Sequence, residues 1–330
     1  MPKQQSRNIN LPEEFSLIND YFVPLSHPTA SFGLTDDAAQ VDNMVFTTDM
    51  IIESVHFLPD DPPETVGRKA LRVNLSDLAA KGAKPIGYLM AISLPGWIDS
   101  QWMQHFHNGL AADQALFDVA LLGGDTVHSD GPLTISITAI GRAPKGGMIR
   151  RSGAQPGDAI VVTGAIGDGW LGLQARLGRL TDASRTLIAK YQMPEPRLTA
   201  GSAFVQVATA SADVSDGLLA DALKIAKASQ VKLCIDAVKV PLSDFARYWI
   251  GHEPSADPIS LWTGGDDYEL IICLPSKTDF AALSANAGVA LSVIGHVQLG
   301  SGIELRGSDG ANITPQRLGY QHGLQRRSKV

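Results

Sequence analysis

The chain has 330 residues, is 44% hydrophobic and carries a formal net charge of −7 at pH 7. That length exceeds one ordinary core and suits two domains, and the acidic balance with no long basic run argues against a nucleic-acid surface. The longest apolar stretches, Tyr88–Pro95 and Ala159–Thr163, fall well short of the about 20 residues that span a bilayer, and no apolar h-region follows the polar start Met1–Arg7, so a cytoplasmic protein is expected.

Leu11–Ile18 has the spacing of a short amphipathic helix and leads into a Pro- and Ser-containing loop around Pro24–Pro28. Met44–Ile52 is β-branched and apolar enough for a buried strand, with Thr47, Thr48 and Asp49 placing oxygen atoms at its exit. From Pro63 to Gly82 the apolar residues Val66, Ala70, Val73, Leu75, Leu78 and Ala79 recur near the 3.6 period, so Asp77 rides on a helix. Tyr88–Leu94 reads as a strand and Asp99–Leu116 as a helix with Trp102, Phe106 and Leu110 on one face. Val119–Leu122 reads as a strand running into Gly123-Gly124-Asp125-Thr126, whose glycines permit positive φ and close backbone approach to a ligand. Leu133–Ile140 is a further strand.

Composition shifts to Gly, Pro and basic residues over 141–158, which places a boundary near Gly147 and gives domains 1–147 and 148–330. Beyond it come a strand at Ala159–Thr163, helices over 170–180, 183–191 and 218–229, a turn at Pro194–Arg197, and strands at 232–235, 269–274 and 292–295. Cys234 and Cys273 both lie in apolar, strand-like runs and read as buried thiols, consistent with a reducing compartment.

The residues that carry chemistry are mostly aspartates. Oxygen donors collect at Thr47-Thr48-Asp49, at Asp77 and at Gly123-Gly124-Asp125-Thr126, each in or near an apolar run. Carboxylates that converge without a cation repel and raise one another's pKa, whereas a hard divalent ion such as Mg²⁺ takes oxygen ligands and commonly shares them with nucleotide phosphates. The acidic pattern therefore points to metal, and metal of that kind to phosphate. Asp213, Ser215 and Asp216 stand just ahead of a helix, where one residue suffices as a cap. Gly264-Gly265-Asp266-Asp267 with Glu269 is an acidic turn that, beside the first cluster, fits a second-domain contribution to an interdomain site. His56 follows Asp49 and Glu53 on a loop, and both a solvated histidine and a hydrogen-bond donor to an anionic substrate stay open. Gly167-Asp168-Gly169-Trp170-Leu171-Gly172 matches G-x-G-x-x-G in letters only, because no second strand ending in an acid follows, so a Gly-rich strand-to-helix turn is favoured. There is no G-x-x-x-x-G-K-[ST], and no His or Cys spacing suits zinc.

In this order the motifs resemble the thiamine-monophosphate kinase family, of the superfamily that also holds aminoimidazole ribonucleotide synthetase and selenophosphate synthetase. The carriers are Thr48-Asp49-Met50 with Glu53 and His56-Phe57, Lys69-Ala70-Leu71 with Asn74 to Ala80, and Gly123 to Thr126. Arg151-Ser152-Gly153-Ala154, Thr163-Gly164, Asp213 with Ser215 to Leu218, and Asp267-Tyr268-Glu269-Leu270 complete the set, so the resemblance runs from about Phe15 to Tyr320.

The resemblance implies an α+β fold of two α/β domains of the aminoimidazole ribonucleotide synthetase-like type, with the N-terminal sheets pairing across a homodimer and the nucleotide near that interface. It implies Mg²⁺ on Asp37, Thr47, Thr48, Asp49, Asp77, Asp125, Asp213 and Asp216, ATP on Gly124, Arg151 and Ser215, and substrate on His56, Asp266 and Tyr320. The reaction it implies is in-line transfer from ATP to thiamine monophosphate, giving thiamine diphosphate and ADP. The attacking phosphate oxygen is already ionised, so no side-chain base is required, in keeping with the lack of a catalytic triad or dyad. Arg151 is preferred to Arg150 for phosphate contact because it adjoins Ser152-Gly153. Another ATP-dependent synthetase of the superfamily and a silent thiamine-phosphate-binding relative are the alternatives. Three departures stand out: Thr35-Asp36-Asp37 for the usual Gly-Asp-Asp, Asp266 for Glu and Lys81 for the common Met.

Overall fold

The structure, a computed structural model, describes residues 14–182 and 185–320. The N-terminal sheet holds β1 (Ala39–Val41), β2 (Met44–Ile52), β3 (Lys84–Leu94), β4 (Ala120–His128) and β5 (Thr134–Arg142) in the order β1-β2-β5-β3-β4. Its pairs are antiparallel except β3 with β4, whose parallel crossover is the helix Ser100–Phe117. The second sheet holds β6 (Ala159–Thr163), β7 (Ala210–Asp213), β8 (Lys232–Asp236), β9 (Leu270–Leu274), β10 (Leu291–Gln298), β11 (Gly302–Arg306) and β12 (Asn312–Ile313). Its order is β12-β11-β8-β10-β6-β9-β7, and β11 with β8 is a parallel pair. Residues 143–158, which contain Gly147, connect the two sheets.

β2 is amphipathic by alternation: Val45, Thr47 and Ile51 are buried, while Thr48 and Met50 are exposed on the other face. The buried face meets the helix Pro63–Ala80, which Pro63 opens at the first helical position, where a missing amide costs nothing. This helix is buried on all sides from Lys69 to its end. Leu71, Leu75 and Leu78 belong to the core under the first sheet. Ala79 and Ala80 belong instead to a core built from β6, β9 and the helix Leu198–Phe204. A Cβ at Gly201 would stand 2.0 Å from the carbonyl oxygen of Ala79, so glycine there lets the two helices touch backbone to backbone.

The glycine pair expected to form a ligand-facing turn lies inside β4. A Cβ at Gly124 would meet the Met90 carbonyl oxygen at 1.8 Å, so the close approach this glycine permits is to the neighbouring strand β3. Likewise Thr47 to Asp49 occupy the middle of β2 and not its exit. Asp213 ends β7, and Gly217, not Ser215 or Asp216, stands at the cap of the helix Leu218–Ser229, with no side-chain cap bond. The helices Leu198–Phe204, Asp244–His252, Ile259–Thr263 and Phe280–Ala287 and the strands β7, β11 and β12 were not anticipated. Of the expected N-terminal helix, Glu14–Leu17 is helical and Leu11–Glu13 lie outside the described residues, as do Ala183 and Ser184 of the expected helix 183–191. Cys234 and Cys273 are buried and free.

Candidate active site: a carboxylate cluster between the two domains

Two rows of polar residues on the helix Pro63–Ala80 build the site. Lys69, Arg72 and Ser76 follow one another at three- and four-residue spacing, as do Asn74, Asp77 and Lys81 at its end, so each row lines one face. Asn74 takes a hydrogen bond from the backbone N–H of Asp49 (2.9 Å) and gives one to the carbonyl of Ala70 (3.0 Å), which fixes β2 against the helix. The Thr47 hydroxyl lies against the Asp77 carboxylate and 3.0 Å from the main-chain oxygen of Asp37. Ser76 donates to Asp213 at 2.8 Å, joining the helix to the end of β7 in the second domain. One carboxylate oxygen from each of Asp37, Asp77 and Asp213 lies within 4.8 Å of the others.

The charges in this cluster are unequally compensated. Burial opposes ionisation of Asp37, but the Arg151 guanidinium and the Lys81 ammonium outweigh it and bring its carboxyl down to about 2. Asp49 goes the other way, raised to about 6 by burial and by the carboxylates of Asp37 and Asp216. Burial with Asp49 and Asp213 nearby drives Asp77 well above the usual carboxylate range, and burial with Asp37 and Asp221 nearby does the same to Asp213. Asp216 and Asp221 share the Lys224 ammonium at 2.6 Å each. Within this cluster, Asp49, Asp77 and Asp213 are therefore the carboxylates that form no ion pair with a cationic side chain among the described residues.

Other expected site residues lie elsewhere. The Thr48 hydroxyl is on the exposed sheet face, 3.1 Å from the carbonyl oxygen of Ile137 and 3.2 Å from the Thr138 hydroxyl. Asp125 is exposed on the edge strand β4, where its carboxylate accepts from the N–H of Thr126 (2.9 Å). The register runs Asp49, Ile137, Met90, Gly124 across β2, β5, β3 and β4, so three strand spacings, about 14 Å, separate Asp49 from the neighbourhood of Asp125 within one chain. Arg151 is turned onto Asp37, and its backbone N–H meets Asp36 at 2.9 Å, whereas Arg150 lies over the ring of Phe32.

Two of the three residues expected to meet substrate, His56 and Asp266, are linked through a second buried lysine. Lys69 lies 2.9 Å from the carbonyl of His56 and 3.1 Å from the carboxylate of Asp266, with its ammonium 3.9 Å from the centre of the Tyr191 ring. The backbone N–H of Asp266 donates to the carbonyl of Ser215, and that of Tyr320 to the carbonyl of Asp216, both at 2.9 Å. In the His56 ring, Nδ1 accepts from the N–H of Ile52 (3.0 Å), so the neutral ring carries its proton on Nε2. The acidic turn sorts by use. Asp267 accepts from the N–H groups of Gly167 (2.9 Å) and Gly169 (3.0 Å), so the protein's own carboxylate occupies the amides of the G-x-G-x-x-G segment. Glu269 is clasped by Arg197 and Thr163. Asp266 is left facing Lys69.

Asp36, Lys81, Asp221 and Lys224 escaped the sequence reading as members of the cluster. The Asp221–Lys224 spacing of three on a helix was a legible signal for that pair. Lys81 was visible only as a departure from a family pattern.

Two family models cover most of the chain: AIR synthase related protein, N-terminal domain, over residues 35–143, and AIR synthase related protein, C-terminal domain, over residues 155–308. The thiamine-monophosphate kinase of Caulobacter vibrioides is 45% identical over 323 residues, which is 94% of this chain and 91% of the relative. That of Escherichia coli (strain K12) is 37% identical over 326 residues, covering 94% and 98%. Among solved structures, AaThiL complexed with AMPPCP and TMP superposes with a TM-score of 0.82 at 29% identity over 93% of this chain and 97% of that one. The thiamine monophosphate kinase of Stenotrophomonas maltophilia gives 0.75 at 35% identity over 91% and 98%. With its two AIR synthase related domains and these relatives matched along nearly their whole length, the chain belongs to the thiamine-monophosphate kinase family.

Proposed function

We propose that the chain transfers a phosphoryl group from ATP to the phosphate of thiamine monophosphate, giving thiamine diphosphate and ADP, with Mg²⁺ held chiefly by Asp49, Asp77 and Asp213. The observation that carries the metal part is the carboxylate cluster at the junction of two domains of this family: Asp77 and Asp213 lie close together beside Asp37, and both they and the neighbouring Asp49 have their ionised forms opposed by burial and by neighbouring carboxylates. An all-oxygen donor set with the Thr47 hydroxyl beside it suits a hard divalent ion. When bound, such an ion neutralises phosphate charge and aligns the reacting groups.

The chain's own residues supply the rest. Asn74 fixes the backbone of Asp49 and Ser76 donates to the carboxylate of Asp213, so that carboxylate is held in place before ligand arrives. Arg151 has a buried Nε that finds no acceptor among the described residues, a donor suited to a phosphate oxygen. Gly124 and Ser215 complete the proposed nucleotide contacts. His56 presents Nε2–H towards the substrate phosphate, Asp266 offers a carboxylate positioned by Lys69, and Tyr320 closes the substrate end. No group is needed to deprotonate the acceptor, whose phosphate is ionised at neutral pH.

The same reading pairs two copies through the N-terminal sheet. Met50, Leu89, Leu121, Leu122 and Val127 are exposed apolar residues on its open face and its β4 edge, which is more than a monomer of this kind commonly leaves in water. The separation of Asp125 from Asp49 supports it too: Asp125 and Thr48 act on the nucleotide's metal only if a second copy brings one chain's β4 to the other's β2. Buried free thiols and the lack of any helix long and apolar enough to cross a membrane among the described residues agree with the proposed cytoplasmic setting.

The test is product analysis with ATP, Mg²⁺ and thiamine monophosphate. ADP with thiamine diphosphate is the expected result. Inorganic phosphate with a condensed product would identify a synthetase of the superfamily, and ligand-induced stabilisation without ATP consumption a binding protein.

A further inference from the structure

Lys81 is fully buried, and its ammonium has three oxygens around it: Asp36 Oδ1 at 2.6 Å, Asp37 Oδ2 at 2.6 Å and the carbonyl of Ser211 at 3.0 Å. The contacts to Asp36 and Ser211 are hydrogen bonds and that to Asp37 is an ion pair, so three oxygens share the one ammonium. The other oxygen of Asp37 is taken by the Arg151 guanidinium, and Asp36 also accepts from the Arg151 backbone N–H. The two carboxylates Asp36 and Asp37 thus face two fixed cations, Lys81 and Arg151. Across the same cluster, Asp49, Asp77 and Asp213 have no ion pair with a cationic side chain among the described residues. Lys81 reaches this position from the C-terminal end of the helix that carries Asp77, one turn on, and it has no path to solvent while the helix stays docked.

We infer that Lys81 is a built-in cation that occupies the Asp36–Asp37 end of the cluster, taking the place of a divalent ion there and confining bound metal to the Asp49, Asp77 and Asp213 side. The inference rests on the proposed metal site and refines it. Asp37, although its oxygen lies within reach of Asp77 and Asp213, has both oxygens already engaged by cationic side chains. A divalent ion sharing those oxygens would stand against two fixed positive charges, and a monovalent group that is part of the fold cannot be chelated away. Lys81 is a positioning residue in this account: it touches no substrate and acts by setting how many ions the carboxylates hold.

The experiment counts bound metal and does not read turnover. Mn²⁺ is titrated by electron paramagnetic resonance into the nucleotide-free full-length protein, wild type and Lys81→Met, with circular dichroism confirming the fold. Methionine keeps an unbranched stem one atom shorter and removes the charge, so Lys81→Met is expected to bind one more Mn²⁺ per chain and to gain more thermal stability from Mn²⁺ than wild type does. Equal numbers of bound Mn²⁺ in both would overturn the inference while leaving the metal site intact. If Lys81→Met does not fold, the comparison moves to Asp37→Asn and Asp77→Asn. Asp77→Asn should weaken Mn²⁺ binding at least about tenfold, and Asp37→Asn should shift it by less than half as much on a logarithmic scale. Equal weakening by the two would place metal on Asp37 and overturn the inference. Absence of Mn²⁺ binding in wild type would remove the proposed metal site, and this refinement with it.

Discussion

Lys69 and Asp266 form an ion pair across the domain junction, 3.1 Å long, with the lysine buried and the aspartate about a quarter exposed. The same ammonium holds the carbonyl of His56, so one side chain sets both the loop that carries His56 and the turn that carries Asp266. Asp266 also sits at φ +65°, a left-handed conformation that Asp tolerates better than most residues. Asp266→Ala should therefore raise KM for thiamine monophosphate far more than KM for ATP. Loss of one charged hydrogen-bond partner corresponds to on the order of 1.5–3 kcal/mol, or roughly 10- to 100-fold in kcat/KM. Steady-state kinetics with each substrate varied in turn would check this, and unchanged KM for thiamine monophosphate would reduce the turn to a scaffold.

Asp49→Asn and Asp77→Asn should abolish turnover and yet raise the melting temperature of the metal-free protein at pH 8. Each removes a carboxyl whose ionised form is opposed by burial and by neighbouring carboxylates. Mg²⁺ should stabilise wild type and leave either variant nearly unmoved. Differential scanning fluorimetry in EDTA and in Mg²⁺ measures both effects, and turnover close to wild type in either variant would contradict the metal assignment.

The pH dependence of the metal-free protein has a sign that follows from Asp49. Its carboxyl is raised to about 6 in the folded chain from an ordinary 3.8, so the folded state binds a proton that the unfolded state has released. That contribution to stability is complete below pH 3.8 and is lost as pH rises through about 6, on the order of 3 kcal/mol in all. Asp37, depressed to about 2, contributes oppositely: its stabilisation is present above 3.8 and is lost only as pH falls towards 2. Melting temperatures in EDTA should thus decline between about pH 4 and pH 6.5. Saturating Mg²⁺ should flatten or reverse the decline, because metal competes with that proton.

Mixing chains tests the shared site. Asp49→Asn and Asp125→Asn homodimers should each be inactive. Co-expression should restore part of the activity, because one of the two sites in a mixed dimer then carries an intact Asp49 and an intact Asp125. Sedimentation at micromolar concentration should show a dimer. Failure of the mixture to recover any activity would place both carboxylates in the same half-site.

Much of this was readable before any coordinates, and the reasons are local. β2 and the helix Pro63–Ala80 announce themselves because each is long and keeps one period. β7 and β9 are buried on both faces and so lack alternation, although β9 was found from its apolar run alone. Gly123-Gly124 suggested a turn because glycine usually marks one, whereas here it serves the contact between two strands. Asp37, Asp77 and Asp213 are far apart in sequence, and only family resemblance joined them. Nothing local in the sequence could show that Lys81 points inward at carboxylates, or that Asp125 lies across the sheet from Asp49, because burial and register are tertiary facts.

The last turn of the helix Pro63–Ala80 is core to the second domain as well as to the first. Cut at the junction, the first half would carry Ala79, Ala80 and Lys81 into water, and the second would lose the walls around Phe204 and the serine that satisfies Asp213. The two halves are thus architectural divisions and not independent folding units. On heating, the chain should come apart in a single transition, and neither half expressed alone should hold its structure.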